Sequence, residues 1–158
     1  MINPEVQKKA YDLLSRRAHS SQELRVKLSK KDFSARDIDK VIAECERLGF
    51  LNDELFAKDY AAELGRQGKG SYRIQMQLRK KGLPDELIEQ AMLREEDSEV
   101  ENAENALRGK LRSLIHEDDI NKRRQKAYRF LAYRGFSADI ISKLMDKIPE
   151  LQFKSNYY

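Results

Sequence analysis

One pattern of apolar residues occurs three times along the chain. Each copy has a leucine, then a phenylalanine or leucine five positions later, then an isoleucine five positions after that. The copies are LSKKDFSARDIDKVI (28–42), LRKKGLPDELIEQAM (78–92) and LAYRGFSADIISKLM (131–145). Their first leucines are 50 and 53 residues apart, which indicates a repeated unit. Units of this size cannot each bury a full core, so the pattern predicts a protein built from stacked repeats.

The spacing within each unit is that of amphipathic helices. Apolar residues at i and i+4 share one helical face in the pairs Leu24/Leu28, Ile74/Leu78 and Ala127/Leu131. We expect Gly82 and Gly135 to end the middle helix, because glycine adopts the left-handed conformation without strain. Ser34 and Ser137 suit the N-cap of the helix that follows. We predict an all-α protein of three tandem three-helix (helix-turn-helix-like) repeats that form an elongated, curved array.

The repeat also predicts domain bounds. We expect a first repeat at 1–51, a second at 52–93, a third at 94–148 and a C-terminal tail at 149–158. The third repeat opens with an acidic lead-in at 94–105 (REEDSEVENAEN), which holds one arginine and six carboxylates. We interpret this lead-in as a boundary or a solvated helix start. The first helix of the third repeat is then expected from Ala103 to Ile115.

Composition narrows the class of protein. No apolar run approaches the roughly 20 residues that cross a bilayer, and the start of the chain is too polar for a secretory signal. The single cysteine, Cys45, excludes an internal disulfide and is typical of a reducing compartment. We expect a cytoplasmic monomer without membrane contact.

The residues that usually carry catalysis are isolated in this chain. His19 and His116 are far apart and lack metal-ligand spacing, and His19 is expected in a capping or surface position. Cys45 lies in the apolar stripe of a helix and is interpreted as a buried structural thiol. The segment GRQGKGS (65–71) lacks the spacing of a phosphate-binding loop and is interpreted as a connection between two helices. We predict no enzyme activity, no metal and no cofactor.

Positive charge is concentrated around the middle helix of every repeat. Three runs of the chain, at 13–31, 64–84 and 120–138, hold six Lys or Arg residues each. Glu23 is the only acid within them. Lys31, Lys81 and Arg134 occupy one equivalent position of the unit. Stacked repeats would place such runs at regular intervals, so the pattern predicts a stripe that binds a polyanion.

Three tyrosines are interleaved with these bases: Tyr72, Tyr128 and Tyr133. Packing between helices is the simpler expectation for them. The alternative is that they stack on exposed nucleic-acid bases.

Four segments of the chain resemble the RecX family, bacterial regulators of the recombinase RecA. They are RAHSSQELRVKL (17–28), GFLNDELFA (49–57), GKGSYRIQMQLRKKGL (68–83) and KAYRFLAYRGF (126–136). They occur in family order and spacing, and the resemblance extends from about Ala10 to Met145. It implies tandem three-helix repeats in a curved, elongated molecule.

The resemblance also implies a function in DNA repair. RecX proteins bind the RecA–single-stranded DNA filament along its groove and modulate homologous recombination and the SOS response. They suppress ATP hydrolysis, strand exchange and filament extension, and they have no catalytic activity of their own. The implied partners are therefore the RecA filament and the single-stranded DNA within it, with weak direct DNA binding.

On this basis we predict which side chains contact the filament or nucleic acid. They are the basic residues of the middle helices: Arg25, Lys27, Lys31, Arg73, Arg79, Lys80, Lys81, Lys126, Arg129 and Arg134. Two alternatives remain open at this point. The chain could be a stand-alone nucleic-acid-binding protein, because three-helix units resemble helix-turn-helix modules. It could also be a protein-only adaptor whose bases meet acidic protein surfaces.

Overall fold

The computed structural model describes residues 1–154, which form eight α-helices and no strand. The helices are α1 (Pro4–Arg16), α2 (Ser21–Ser29), α3 (Ala35–Arg47), α4 (Asp53–Arg66), α5 (Ser71–Lys80), α6 (Asp85–Leu114), α7 (Ile120–Tyr133) and α8 (Ala138–Lys147). A 3₁₀ turn at Pro149–Leu151 follows α8. The all-α class is confirmed. Of the predicted tail at 149–158, residues 155–158 lie outside the described part of the chain.

The helices follow each other as three-helix repeats, and α6 serves two of them. The first repeat holds α1 to α3, the second holds α4, α5 and the start of α6, and the third holds the rest of α6 with α7 and α8. The expectation of a separate helix from Ala103 to Ile115 is wrong, because α6 runs unbroken through the acidic lead-in at 94–105. No Gly or Pro interrupts residues 85–108, and the acidic side chains are good helix formers. The predicted repeat bounds themselves stay a prediction.

Local signals in the sequence set the helix ends. The Ser34 hydroxyl accepts a hydrogen bond from the Asp37 backbone N–H at 3.1 Å, and Ser137 accepts one from Ile140 at 3.4 Å, which confirms both as N-caps. Gly82 and Gly135 have φ angles of 73° and 95°, so the prediction that they end the middle helices in the left-handed conformation is confirmed.

The described helices belong to two structural units. The first comprises Met1–Tyr60 and Gln77–Gln90, and the second comprises Ala61–Met76 and the chain from Ala91 onward. The core of the first unit is the apolar face of α1 to α3, with Leu24, Leu28 and Cys45 fully buried. The core of the second unit joins α6, α7 and α8 around Leu107, Leu131, Ile141 and Leu144. Within the described residues, no helix combines the length and apolarity that a membrane crossing requires.

Candidate nucleic-acid interface

Each structural unit contains one junction between the middle helices of successive repeats. In the first unit, the Ser20 hydroxyl at the start of α2 donates to the Lys81 carbonyl just after α5, at 2.5 Å. In the second unit, the Gly70 N–H at the start of α5 donates to the Arg134 carbonyl just after α7, at 2.8 Å. Ser20 and Gly70 are equivalent positions of the repeat, and so are Lys81 and Arg134. We call these contacts the first and second repeat junctions.

At the first repeat junction, one carboxylate pairs with two cations. The carboxylate of Glu23 accepts from the Arg17 guanidinium at 2.5 Å and from the Lys81 ammonium at 2.8 Å, and its side chain is only 12% exposed. Burial raises the pKa of Glu23, but the hydrogen bonds from Arg17 and Lys81 outweigh burial and bring the pKa down to about 2. Lys81 is therefore committed to a partner within the protein.

His19 lies beside the first repeat junction and is buried, so the expectation of a surface or capping position is wrong. Ser20 caps α2 instead, accepting from Glu23 N–H at 3.1 Å. The His19 ring has Nδ1 3.0 Å from the Arg17 carbonyl and Nε2 2.9 Å from the Lys27 ammonium. A carbonyl can only accept and an ammonium can only donate, so the ring is neutral and carries its proton on Nδ1. Burial lowers the pKa of His19, and the nearby Arg17 and Lys27 charges lower it further.

We predict that acid weakens the first unit through His19. The folded-state pKa of His19 lies below its unfolded value, so the unfolded chain binds more protons and stability falls as the pH drops through about 6.5. The check is the urea midpoint of the full chain between pH 7.5 and 5.5. His19→Gln should flatten this pH dependence and lower stability at pH 7.5 by about 1 kcal/mol. His116→Gln, a change at an exposed histidine, should leave the pH dependence as it is; an equal flattening there would contradict the assignment.

Cations without a carboxylate partner occupy the second repeat junction. The position equivalent to Glu23 is Arg73, whose guanidinium lies over the Tyr133 ring at 4.5 Å from the centroid. Arg134 donates to the Gln67 carbonyl at 3.2 Å and lies 4.8 Å from the centroid of the Phe130 ring. Within residues 1–154, neither arginine has a carboxylate within 4 Å. At the second junction a cation, Arg73, therefore stands where the first junction has the carboxylate Glu23.

A groove lies next to this junction, between the end of α6 and one face of α7. We call it the α6–α7 groove, and its lining residues are Lys110, Ser113, Leu114, Lys126, Arg129, Phe130 and Tyr133. The four residues from α7 follow the i, i+3, i+4, i+7 spacing of a single helical face. Lys126 pairs with Glu117 at 3.0 Å, whereas Arg129 is exposed and has no carboxylate within 4 Å in the described chain.

The ten predicted contact residues divide into two groups. Four have a partner inside the protein: Arg25 pairs with Asp39, Lys27 with His19, Lys81 with Glu23 and Lys126 with Glu117. The other six lack a carboxylate within 4 Å among residues 1–154: Lys31, Arg73, Arg79, Lys80, Arg129 and Arg134. We call these six the free cations. The structure brings Arg73, Lys126, Arg129 and Arg134 together around the aromatic rings of the second unit.

Lys110 and Phe130 were not predicted as part of this surface, and the exposure of the three tyrosines was underestimated. Tyr72, Tyr128 and Tyr133 are 65%, 42% and 75% exposed, so the expectation that they pack between helices is wrong. The spacing of Lys126, Arg129, Phe130 and Tyr133 on one helical face was available as a signal. Lys110 could not be found in this way, because it reaches the groove from another helix.

Cys45 and the segment 65–71 have the structural roles expected from the sequence. Cys45 is fully buried, as predicted, and burial raises the pKa of its thiol. The glycine-rich segment 65–71 links α4 to α5, as predicted. Among residues 1–154, no three His, Cys, Asp or Glu side chains are grouped so that they could hold a metal ion.

The repeats and the groove define a helical-repeat protein with a cationic, aromatic surface. Family models for the first, second and third three-helix domains of RecX match residues 8–45, 52–92 and 96–145. The Regulatory protein RecX of Legionella pneumophila (strain Corby) is 37% identical over 154 residues, covering 94% of this chain and 97% of that protein. The Regulatory protein RecX of Haemophilus influenzae (strain PittEE) is 33% identical over 135 residues, covering 85% and 88%. The chain belongs to the RecX family of regulatory proteins.

A solved structure supports the fold. The crystal structure of RecX from Lactobacillus salivarius matches with a TM-score of 0.80 at 26% identity, over 90% of this chain and 94% of that one. The tandem three-helix repeats predicted from the sequence are confirmed by this match together with the three family models.

Proposed function

We propose that this chain, as a cytoplasmic monomer without catalytic activity, modulates homologous recombination and the SOS response. In this proposal it binds the filament that RecA forms on single-stranded DNA. It thereby inhibits ATP hydrolysis, strand exchange and filament extension. Membership of a family of regulatory proteins supports this role. The observation that carries the proposal is the set of free cations, because such side chains can bind phosphates without leaving a carboxylate of the described residues unpaired.

The energetics favour the free cations over the paired ones. Lys and Arg bind nucleic-acid backbones mainly by releasing condensed counterions, and this gain needs no base recognition. A cation such as Lys81, which already holds a largely buried carboxylate, would leave Glu23 paired with Arg17 alone if it turned outward. Arg79 and Lys80 are exposed and Arg73 is held by an aromatic ring, so all three can contact a polyanion at little cost.

A filament is a partner that one chain can bind through several weak contacts at once. Cations are present around the middle helix of each repeat, so a regular polymer can be contacted at more than one place. Once one contact has formed, the others act at a high effective concentration, and modest affinities combine into firm binding. Occupation of the filament groove would then exclude an incoming duplex.

The second candidate function is direct binding of nucleic acid without a recombinase. The exposed Tyr133 beside Arg129 and Lys126 favours it, because cations together with an exposed aromatic ring are typical of proteins that bind single strands.

Co-sedimentation over a series of salt concentrations separates the candidates. The full chain is mixed with RecA filaments on single-stranded DNA, with the same DNA alone, or with RecA alone. We expect strong binding to the filament and weak, salt-sensitive binding to free DNA. Equal binding to free DNA and filament would replace the proposal with the second candidate, and binding to RecA without any need for DNA would indicate a protein-only adaptor.

A further inference from the structure

We propose that the α6–α7 groove binds single-stranded nucleic acid with one base stacked on Tyr133. This inference deepens the proposed function and rests on it in one respect, namely that nucleic acid is part of the partner. Tyr133 provides the stacking surface, and the groove cations Lys110, Lys126 and Arg129 contact the phosphates. It needs no sequence-specific contact.

Tyr133 is an unusual side chain for a surface helix. It is 75% exposed, and the Arg73 guanidinium lies over one face of its ring, 4.5 Å from the centroid. A ring has two faces, so its exposed area includes the face away from Arg73. A base placed there would complete a stack of guanidinium, phenol and base, and the cation would hold the ring in position before binding. Burial of one more flat apolar surface is the driving force.

The remaining groove residues supply charge next to that stack. Arg129 and Lys126 lie four and seven residues before Tyr133 on the same face of α7, and Lys110 faces them from α6. Because an α-helix rises about 1.5 Å per residue, Arg129 is roughly 6 Å and Lys126 roughly 10 Å along the axis from Tyr133. A strand whose base sits on the ring therefore passes cations on its way along α7. This combination of an aromatic ring and a basic groove is how proteins bind single strands without sequence preference.

Phe130 is not an equivalent stacking position. Cations lie near its ring from two helices, with the Arg134 guanidinium 4.8 Å and the Lys110 ammonium 5.9 Å from the centroid. It is also half-buried against the core of the second unit. Its role is to position Arg134 and Lys110, whereas Tyr133 remains open to a ligand.

The groove is suited to a single strand rather than a duplex. Bases within a duplex are already stacked on each other and offer no free face to a tyrosine, whereas the bases of a single strand do. Apart from the Tyr133 hydroxyl, Ser113 supplies the only uncharged hydrogen-bonding side chain among the groove residues of the described chain, so little in the groove would read a base edge.

The absence of tryptophan from the sequence makes a direct test possible. In Tyr133→Trp the new indole is the only one in the chain. We expect this variant to bind a 20-nucleotide thymidine strand and its fluorescence to be quenched on binding. The probe for comparison is a strand of the same length with abasic sites throughout, which keeps the phosphates and removes the bases. It should bind with little quenching. Tyr72→Trp, at another exposed tyrosine of the second unit, is the matched control and should show no quenching with either strand.

Affinity gives the second readout. Stacking of one base is worth about 1–3 kcal/mol, so Tyr133→Ala should weaken binding of the thymidine strand about 5- to 150-fold and leave the abasic strand unaffected. Tyr133→Phe should bind within about twofold of the original chain. Equal losses on both strands, or no loss on either, would overturn the stacking assignment.

The same variants separate this inference from the proposed function. If the chain binds RecA filaments but Tyr133→Trp is not quenched on them, the groove assignment fails and the proposed function stands. If quenching occurs on free single strands but filaments are not bound, the groove assignment stands and the proposed function fails. Quenching by duplex DNA equal to that by single strands would also overturn the assignment.

Discussion

Gly70→Ala should lower the stability of the second unit by about 3 kcal/mol or more. A Cβ at Gly70 would lie 2.3 Å from the carbonyl carbon of Gly135 and 2.3 Å from the backbone nitrogen of Phe136. These are backbone atoms after α7, so no side chain can turn away to make room. The overlap would separate the two backbones and break the hydrogen bonds from Gly70 to Arg134 and from Tyr72 to Gly135.

The matched control for this change is Gly109→Ala. Gly109 is exposed within α6, and a Cβ there would meet no atom within 4 Å. Alanine is a better helix former than glycine, so this variant should be more stable by about 0.5–1 kcal/mol. The measurement is urea unfolding of the full-length variants followed by circular dichroism. Equal stability of Gly70→Ala and the original chain would contradict the close packing at the second repeat junction.

Glu23→Gln should lower the stability of the first unit by about 2–3 kcal/mol at pH 7. The change leaves the Arg17 and Lys81 charges, whose side chains are 47% and 23% exposed, without their shared carboxylate. The folded pKa of Glu23 is about 2, below its unfolded value near 4.5, so its contribution is present above pH 4.5. That contribution is lost as the pH falls toward 2, so the stability difference between the original chain and Glu23→Gln should shrink over this range.

Glu44→Gln provides the comparison for Glu23→Gln. Glu44 forms a surface pair with Arg47 within one turn of α3, and exposed pairs of this kind contribute little. A double-mutant cycle that combines Glu23→Gln with Lys81→Met then gives the coupling free energy of the Glu23–Lys81 pair. The double variant lacks both partners and so leaves no unpaired carboxylate. A cycle that gives no coupling, or a loss in Glu44→Gln as large as that in Glu23→Gln, would contradict the ion-pair account.

The repeats, the core and the helix caps could be predicted because each depends on residues close together in sequence. Leu28, Leu78 and Leu131 mark the apolar faces by spacing alone, and Ser34 and Ser137 bond to backbone N–H groups only three residues away. The continuous α6 was missed because its acidic segment at 94–105 was given more weight than the lack of any helix breaker. Charge composition describes solvation, whereas the absence of Gly and Pro from 94–105 allows the helix to continue.

The state of each charged residue could not be predicted from the sequence. Glu23 and Lys81 are 58 residues apart, and only the packing of α2 against the end of α5 brings them together. The ring of His19 is neutral because of an ammonium and a carbonyl that the fold places on either side of it. The sequence pattern therefore locates the basic runs, but the tertiary structure decides which of their cations have a carboxylate partner and which remain free.

In the proposed function, the free cations carry binding to the RecA–DNA filament. The most direct test compares two variants that each lose three positive charges. One replaces free cations (Arg79→Gln, Lys80→Gln and Arg129→Gln), and the other replaces cations that are paired on the surface (Arg47→Gln, Arg66→Gln and Arg108→Gln). Lys81 is left intact in both, because its loss would disturb the first repeat junction.

The measurement is filament affinity by co-sedimentation across a salt series. If the three free cations contact phosphates, the first variant should bind at least about tenfold more weakly, and its salt slope should fall by about 2. The second variant should bind within about twofold of the original chain. Equal losses in the two variants would show that only net charge matters and would contradict the account.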